Sequence, residues 1–463
     1  LHMMLAAGLF FWSARVILAL LPGFSLRHST KKHAAVVAML GATAYNMFSG
    51  GEVAAERALI MTLVMLGAIL VDRPALAMRN LAISAFIVLS LRPETLLGPS
   101  FQMSFGAVAG LIAYGETMRA LRERNLVSAH AREDGWATRG GRLLLDFVAT
   151  SLIAGLATAP FQAYHFHRLN PYGLLGNTLA IPLCSFLVMP AALLGVLLYP
   201  LGLDAPAWWA MGQGVAMISH AAFAVAQLEG AIAAIGRYST GAMILLALAI
   251  TIFCLMSTAT FKALAVLPLT IGLGLAVRTP RPDLIIDATG GVAMARGADG
   301  KLALLGARRP EFILQQWLSG DRDKRAANDA SLAQGVRCDR SGCVLEKTRA
   351  GAIALVRDHS AFTVDCERAD VVITHLDAPP HCRGPGVIYD RSHFDRHGAT
   401  YVYAGQGDRT VETARHERAQ RPWLPMPRAP ARPATTGVFN QTTGSRPPPT
   451  DSPPDDDTHQ PPP

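Results

Sequence analysis

Two patterns of hydrophobic and polar positions divide the chain. Through about Val277, apolar blocks alternate with short charged loops; from Arg278 onward, charges and prolines separate short β-patterned runs. Blocks approaching the ~20 residues that cross a bilayer run from Leu5 to Leu21, Ala34 to Ser49, Ala58 to Val71, Leu81 to Leu91 and Phe101 to Tyr114. Others run from Leu144 to Phe161, Tyr172 to Leu201, Ala207 to Leu228, Gly241 to Cys254 and Phe261 to Val277. The pattern predicts an α-helical polytopic membrane protein with about ten transmembrane helices. Several blocks are short and contain glycine, which predicts broken or re-entrant helices whose freed backbone groups face protein or water.

The second pattern occupies residues 283 to 405. There DLIID, VAMA, LALLG, GAIALV, ADVVIT and GVIYD read as strands around one amphipathic stretch, RPEFILQQWLS. A small α/β or mostly β soluble domain is expected. The division is then a membrane domain over 1–277, a soluble domain over 278–415 and a disordered proline-rich tail over 416–463.

Charge changes this picture through its distribution. The net charge is only +8, but Arg and Lys gather in 25–33, 72–79 and 116–142, each following an odd-numbered block. Positive loops stay cytoplasmic, so the N-terminal end of the sequence lies outside. The block from Tyr172 to Leu201 contains Pro182 and Pro190 and reads as one kinked span or as a hairpin of two. Counted once, as favoured here, it delivers the soluble domain to the periplasmic face; counted twice, to the cytoplasm.

Cys338, Cys343, Cys366 and Cys382 fall in the soluble domain, and Cys184 and Cys254 in apolar blocks. An even number in an oxidising compartment reads as two disulfides, Cys338 with Cys343 and Cys366 with Cys382. The competing reading is a zinc site begun by CDRSGC, whose second half lacks paired spacing. His375, His381, His393 and His397 among Asp377, Asp390 and Asp395 raise a metal-hydrolase alternative. No H-x-H-x-D-H cluster gathers them, and they read as surface histidines in turns. No catalytic residue, metal or cofactor is expected, and no G-x-x-x-x-G-K-[ST] marks an ATP site.

The polar residues of the membrane part are the candidate chemistry. Arg57, Asn46, Gln102, Ser104 and Asn177 lie within or beside apolar blocks, where ionisable groups default to functional hypotheses. Arg57 stands at a block start, from which it can snorkel to headgroups. An amide taken alone is a cross-helix hydrogen bond of about 0.6 kcal/mol. Beside Pro93, Pro99, Pro182 and Pro190 the same amides point to a wet passage, since broken helices expose carbonyls. His165 and His167 read as solvated residues of an outer loop beside Arg168, placed to meet incoming phosphates. The basic stretch 116–142 suits anionic lipid headgroups.

GGEVAAERALIMTLVMLGAILVDRPALAMRNLAISAFIVLSLRPETLLGPSFQMSFGAVAGLIAY, ending at Tyr114, resembles the core of the ComEC-type competence proteins, the inner-membrane DNA-uptake channels of naturally transformable bacteria. HFHRLNPYGLLGNTLAIPLCSFLVMPAALLG and the opening LHM are similar to further family segments, so the resemblance covers roughly residues 1 to 277. It implies an inner-membrane channel for single-stranded DNA, with Arg57, Gln102, Ser104, Asn46, Asn177, His165 and His167 as residues of the DNA path. It also implies a cytoplasmic helicase-like motor, a periplasmic DNA receptor and membrane lipids as partners, and allows a homo-oligomer. The family's N-terminal OB-like domain is not among these residues, and a start at Leu1 predicts a fragment. Where many members carry a metallo-β-lactamase-like domain, this chain has its four-cysteine domain without the metal-ligand cluster, so nuclease activity is not carried over. The alternatives are a small-solute or lipid transporter and a membrane-anchored metal-dependent hydrolase.

Overall fold

The structure, a computed structural model, describes residues 2–21, 28–126, 136–256, 258–306, 310–382, 386–404 and 409–415. The tail expected over 416–463 and residues 127–135 of the basic stretch lie outside them.

Each apolar block forms helix. In chain order these are α1 (His2–Ala19), α2 (Thr30–Phe48), α3 (Val53–Leu70), α4 (Met78–Leu91), α5 (Pro99–Leu126) and α6 (Trp136–Phe166). They continue with α7 (Gly173–Leu183), α8 (Met189–Leu198), α9 (Ala205–Ala226), α10 (Thr240–Leu255), α11 (Ala259–Ala263) and α12 (Val266–Arg278). Ser29 caps α2 by accepting from the Lys32 amide, and Ser239 caps α10 by accepting from the Ala242 amide. Between α7 and α8, Cys184–Val188 forms a π turn, so the block holding Pro182 and Pro190 is one continuous helical run, not a hairpin. The last block is broken, with α11 and α12 meeting near Leu264.

Among the described residues four helical runs are long and apolar enough to cross a membrane: Val53–Leu70, Leu145–Phe166, Gly173–Leu201 and Thr260–Arg278. Met3–Ala19, Met78–Leu91 and Thr240–Leu255 are apolar but shorter. The helices meet through small residues. Ala35, Ala38 and Ala42 of α2 are fully buried with Met3 and Ala7 of α1 and Leu59 and Leu66 of α3. Gly106 and Gly110, one turn apart on α5, let α6 approach: a Cβ on Gly106 would lie 3.0 Å from Phe161 Cε2, and one on Gly110 would lie 3.0 Å from Ala157 Cβ. This small-xxx-small spacing suits association in lipid, where close backbone approach replaces the hydrophobic drive.

After Arg278 the chain enters a four-layer domain. One sheet has strand order β12-β11-β3-β4-β5 and the other β10-β9-β8-β7-β6. The first comprises β3 (Leu284–Ile286), β4 (Ala293–Arg296), β5 (Leu302–Leu305), β11 (Thr400–Ala404) and β12 (Arg409–Thr413), all antiparallel. The second comprises β6 (Arg337–Cys338), β7 (Gly342–Leu345), β8 (Ile353–Val356), β9 (Val371–Thr374) and β10 (Val387–Tyr389), with β8, β9 and β10 parallel. Helix α13 (Glu311–Gly320) covers one sheet, α14 (Phe362–Arg368) crosses over the other between β8 and β9, and α15 (Arg391–His397) follows β10.

Strand periodicity explains the layering. Leu284 and Ile286 face the inter-sheet core with Ile353, Leu355, Val371 and Ile373, whereas Ile285, Met294 and Leu304 pack under Leu314 and Leu318 of α13. Ala354, Val356 and Val372 pack under Phe362 and Cys366 of α14. With both faces covered, the strands read as near-continuous apolar runs. Buried Arg296 ties this domain to the segment that follows α12. Its Nη2 donates to Asp321 Oδ1 at 2.5 Å and to the Pro282 carbonyl at 2.9 Å, and its Nε lies 3.5 Å from Asp283 Oδ1.

Candidate functional site

The helical part and the sandwich meet at the end of α6. Past Phe166 the chain turns sharply at His167, whose φ of 57° lies in the left-handed region that non-glycine residues rarely adopt. Neighbouring hydrogen bonds hold it there: the His167 carbonyl accepts from the Ile235 amide at 3.0 Å, and β1 (Arg168–Leu169) pairs with β2 (Ala233–Ala234). At Gly236, with φ of 85°, a Cβ would lie 2.7 Å from Arg322 Nε, so only glycine fits. The sandwich grips this turn from the other side. Arg322 Nε donates to the Ile235 carbonyl at 2.7 Å, and the Arg237 amide donates to the Gly320 carbonyl at 2.9 Å.

Arg237 is the centre of the seam. Its guanidinium stacks 4.4 Å above the Tyr401 ring and donates to Tyr403 Oη at 2.5 Å and to Glu412 Oε1 at 2.6 Å. Next to it, Tyr238 donates its hydroxyl to the carbonyl of Pro160, a proline inside α6, and Tyr164 Oη lies 2.9 Å from Thr240 Oγ1. Burial pushes the Tyr403 hydroxyl up to about 12. Burial first, and then the Arg237 charge, lower His167 to about 4, so its imidazole is neutral at pH 7.

A cleft of about 1160 Å³ opens along the seam. Its basic lining is His165, His167, Arg237, Arg281, Arg296 and Arg349, against Asp283 and Glu412. Arg281 and Arg349 are exposed, Arg349 lying 3.8 Å from Asp283 Oδ1. The rings of Tyr164, Tyr238 and Tyr403 line the same space. Positive side chains beside aromatic faces form a surface for a polyanion with planar groups.

Of the residues expected from the sequence, three converge here. Gln102 Oε1 lies 2.8 Å from His165 Nε2, while Gln102 Nε2 donates to the Leu96 carbonyl at 3.0 Å. The amide thus closes the 3₁₀ turn Pro93–Leu97 ahead of α5 and ties it to α6. His165 and His167 are half-buried at the end of α6, not solvated in a loop; the helix runs on to Phe166 and the sandwich covers the turn.

The other expected residues lie elsewhere. Arg57 does not snorkel: it is 5% exposed and donates to Ser100 Oγ, two residues before Gln102. Ser104 borders a separate groove with Met61 and Asn80, Asn177 is exposed on α7, and Asn46 Oδ1 is buried without a hydrogen-bond partner among the described residues. Arg237, Arg281, Arg349, Tyr403 and Glu412 escaped the sequence reading; the signals were GRYST and RTPRPD, short basic segments flanking apolar blocks.

In the sandwich, Cys338 is bonded to Cys343 and Cys366 to Cys382. His393 differs from the turn residue expected. It sits in α15, is tucked against Thr400 Oγ1 at 3.0 Å, and is lowered to about 4 by burial and then by His397. Among the described residues no group of three or more His, Cys, Asp or Glu is placed to hold a metal ion.

A model of the competence protein family, described as "Competence protein", matches residues 1–260. ComE operon protein 3 of Bacillus subtilis (strain 168) is 27% identical over 172 residues, which are 37% of this chain and 20% of that protein. The match therefore spans about a fifth of that relative's length. No solved structure matches.

Proposed function

We propose, from the premise that this chain belongs to the competence protein family, that it acts in DNA uptake as an inner-membrane channel conducting single-stranded DNA to the cytoplasm during natural transformation. The observation that carries this reading is the basic, tyrosine-lined cleft where the sandwich meets the ends of α6, α10 and α12. Phosphates supply the sequence-independent share of nucleic-acid affinity, through Arg and Lys that displace counterions. Bases of a single strand stack on aromatic faces without regard to sequence. Arg281 and Arg349 offer exposed charge, Tyr164 and Tyr403 offer ring faces, and His165 and His167 offer hydrogen-bonding groups.

In this reading the sandwich stands on the periplasmic face, which its two disulfides favour. It serves as a wall of the path and not as a nuclease, in keeping with the scatter of its histidines. A periplasmic DNA receptor feeds the cleft and a cytoplasmic helicase-like motor draws the strand through. The test is a charge reversal. Arg281→Glu with Arg349→Glu lowers transformation frequency by at least about tenfold at unchanged membrane insertion, while Lys347→Glu, outside the cleft, leaves it intact. Normal transformation by the inserted double variant overturns the assignment.

A further inference from the structure

The two disulfides of the sandwich occupy opposite surroundings. Cys343, Cys382 and Cys366 are 1%, 3% and 6% exposed, whereas Cys338 is exposed. Cys338 lies on β6, the edge strand of its sheet, directly opposite Cys343 on β7. Among the described residues no strand lies beyond β6 in this sheet, and that edge position leaves Cys338 open to approach. On the far side of the bond, Arg357 Nη2 donates to Cys343 Sγ at 2.9 Å. A guanidinium at that sulfur stabilises the thiolate that bond cleavage would create, and a better leaving group leaves faster.

We infer that Cys338–Cys343 is an exchange-competent disulfide, a substrate for a dithiol oxidoreductase of thioredoxin-like chemistry, whereas Cys366–Cys382 is a fixed cross-link. Attack is possible from one side only. The partner's thiolate bonds to Cys338 Sγ, the Cys338–Cys343 bond breaks, and its electron pair leaves on Cys343 Sγ beside Arg357. The partner's second thiol then loses its proton and attacks the mixed disulfide, releasing Cys338, and the two protein thiolates take up two protons. Two electrons pass from the partner's dithiol, which ends as a disulfide.

The structural consequence is local. Only two residue pairs join β6 to β7, so the disulfide is the one covalent restraint on that edge. Its loop spans 5 residues against 16 for Cys366–Cys382, so it also constrains the unfolded chain less. Reduction frees the edge around Cys338 while the inter-sheet core, built on β8 and β9, stays closed. None of this depends on the DNA-path reading.

The test uses the full chain in detergent. Cys184 and Cys254 are first blocked with N-ethylmaleimide, reduced thioredoxin is added, and newly exposed thiols are labelled and located by mass spectrometry. Cys338 and Cys343 are expected to be labelled at least about tenfold faster than Cys366 and Cys382, with rising deuterium uptake across 334–341 and unchanged protection of β8. Thioredoxin lacking its second cysteine is expected to be trapped on Cys338. Arg357→Gln slows reduction about threefold to tenfold. Equal rates for the two pairs, trapping on any other cysteine, or labelling only after β8 loses protection overturns the inference. The trapping readout uses unaltered protein, so it decides the matter whatever Arg357→Gln does to folding.

Discussion

The helical part and the sandwich draw on the same apolar residues and differ in which of them they bury most completely. In the sandwich the fully buried side chains are large: Phe362, Leu284, Ile286, Met294, Ile353 and Leu355. Among the described residues of the helical part before Arg278, Met3 is the one large side chain buried to that degree, and the fully buried contacts are otherwise made by small residues such as Ala34, Ala35, Ala38 and Ala42, with close approach at Gly106 and Gly110. Many of their large residues point outward, as at Leu40, Phe48, Phe86, Phe186 and Phe223. One rule run in two solvents accounts for both. Water drives bulky groups inside, whereas lipid is as apolar as leucine and rewards close backbone approach instead.

That contrast can be broken most sharply at single leucines. Leu355→Ala, in the inter-sheet core, should cost about 2–5 kcal/mol, read as lost hydrogen-exchange protection of β8. Leu40→Ala, 68% exposed on α2, should cost under about 0.5 kcal/mol; a comparable loss there would show that Leu40 packs against protein. A smaller effect belongs to the α5–α6 contact. Gly106→Leu forces Phe161 aside and should cost about 1–3 kcal/mol, seen as a lower melting temperature in detergent. A neutral result would remove the small-residue rule from this bundle.

The smallest effect is a pH dependence shared by both regions. His167 at the seam and His393 in the sandwich are held near about 4, below their ordinary 6.5. The unfolded chain therefore takes up protons first, and the stability these residues contribute is complete above pH 6.5 and lost as pH falls toward 4. Thermal melts over that interval should decline, and His393→Gln should flatten the decline of the sandwich alone. His167→Gln should flatten only the loosening of the seam, read by hydrogen exchange across 409–413.

The sequence reading succeeded where one period governs. Blocks such as Ala34 to Ser49 and Gly241 to Cys254 became α2 and α10, and DLIID, LALLG and ADVVIT became β3, β5 and β9, because burial on both faces leaves an unbroken apolar signal. It missed β12, where Arg409–Thr413 is polar and exposed and forms only because β11 offers an edge. The site was legible in part. Gln102 and His165 stood out as polar residues next to apolar blocks, but nothing local announces that residues 63 apart touch. Arg237 and Glu412, 175 apart, were hidden for the same reason. Arg57 stayed between two readings, a path residue and an interfacial one, because no local signal shows that α5 brings Ser100 against it.

Arg278 closes α12 and Leu284 opens the first strand of the sandwich. Five intervening residues reach at most about 20 Å, and the last two are pinned by Arg296 through the Pro282 carbonyl and Asp283. The sandwich is thus mounted on a short stalk and not flown on a leash. It forms a fixed awning over the ends of the helices it follows.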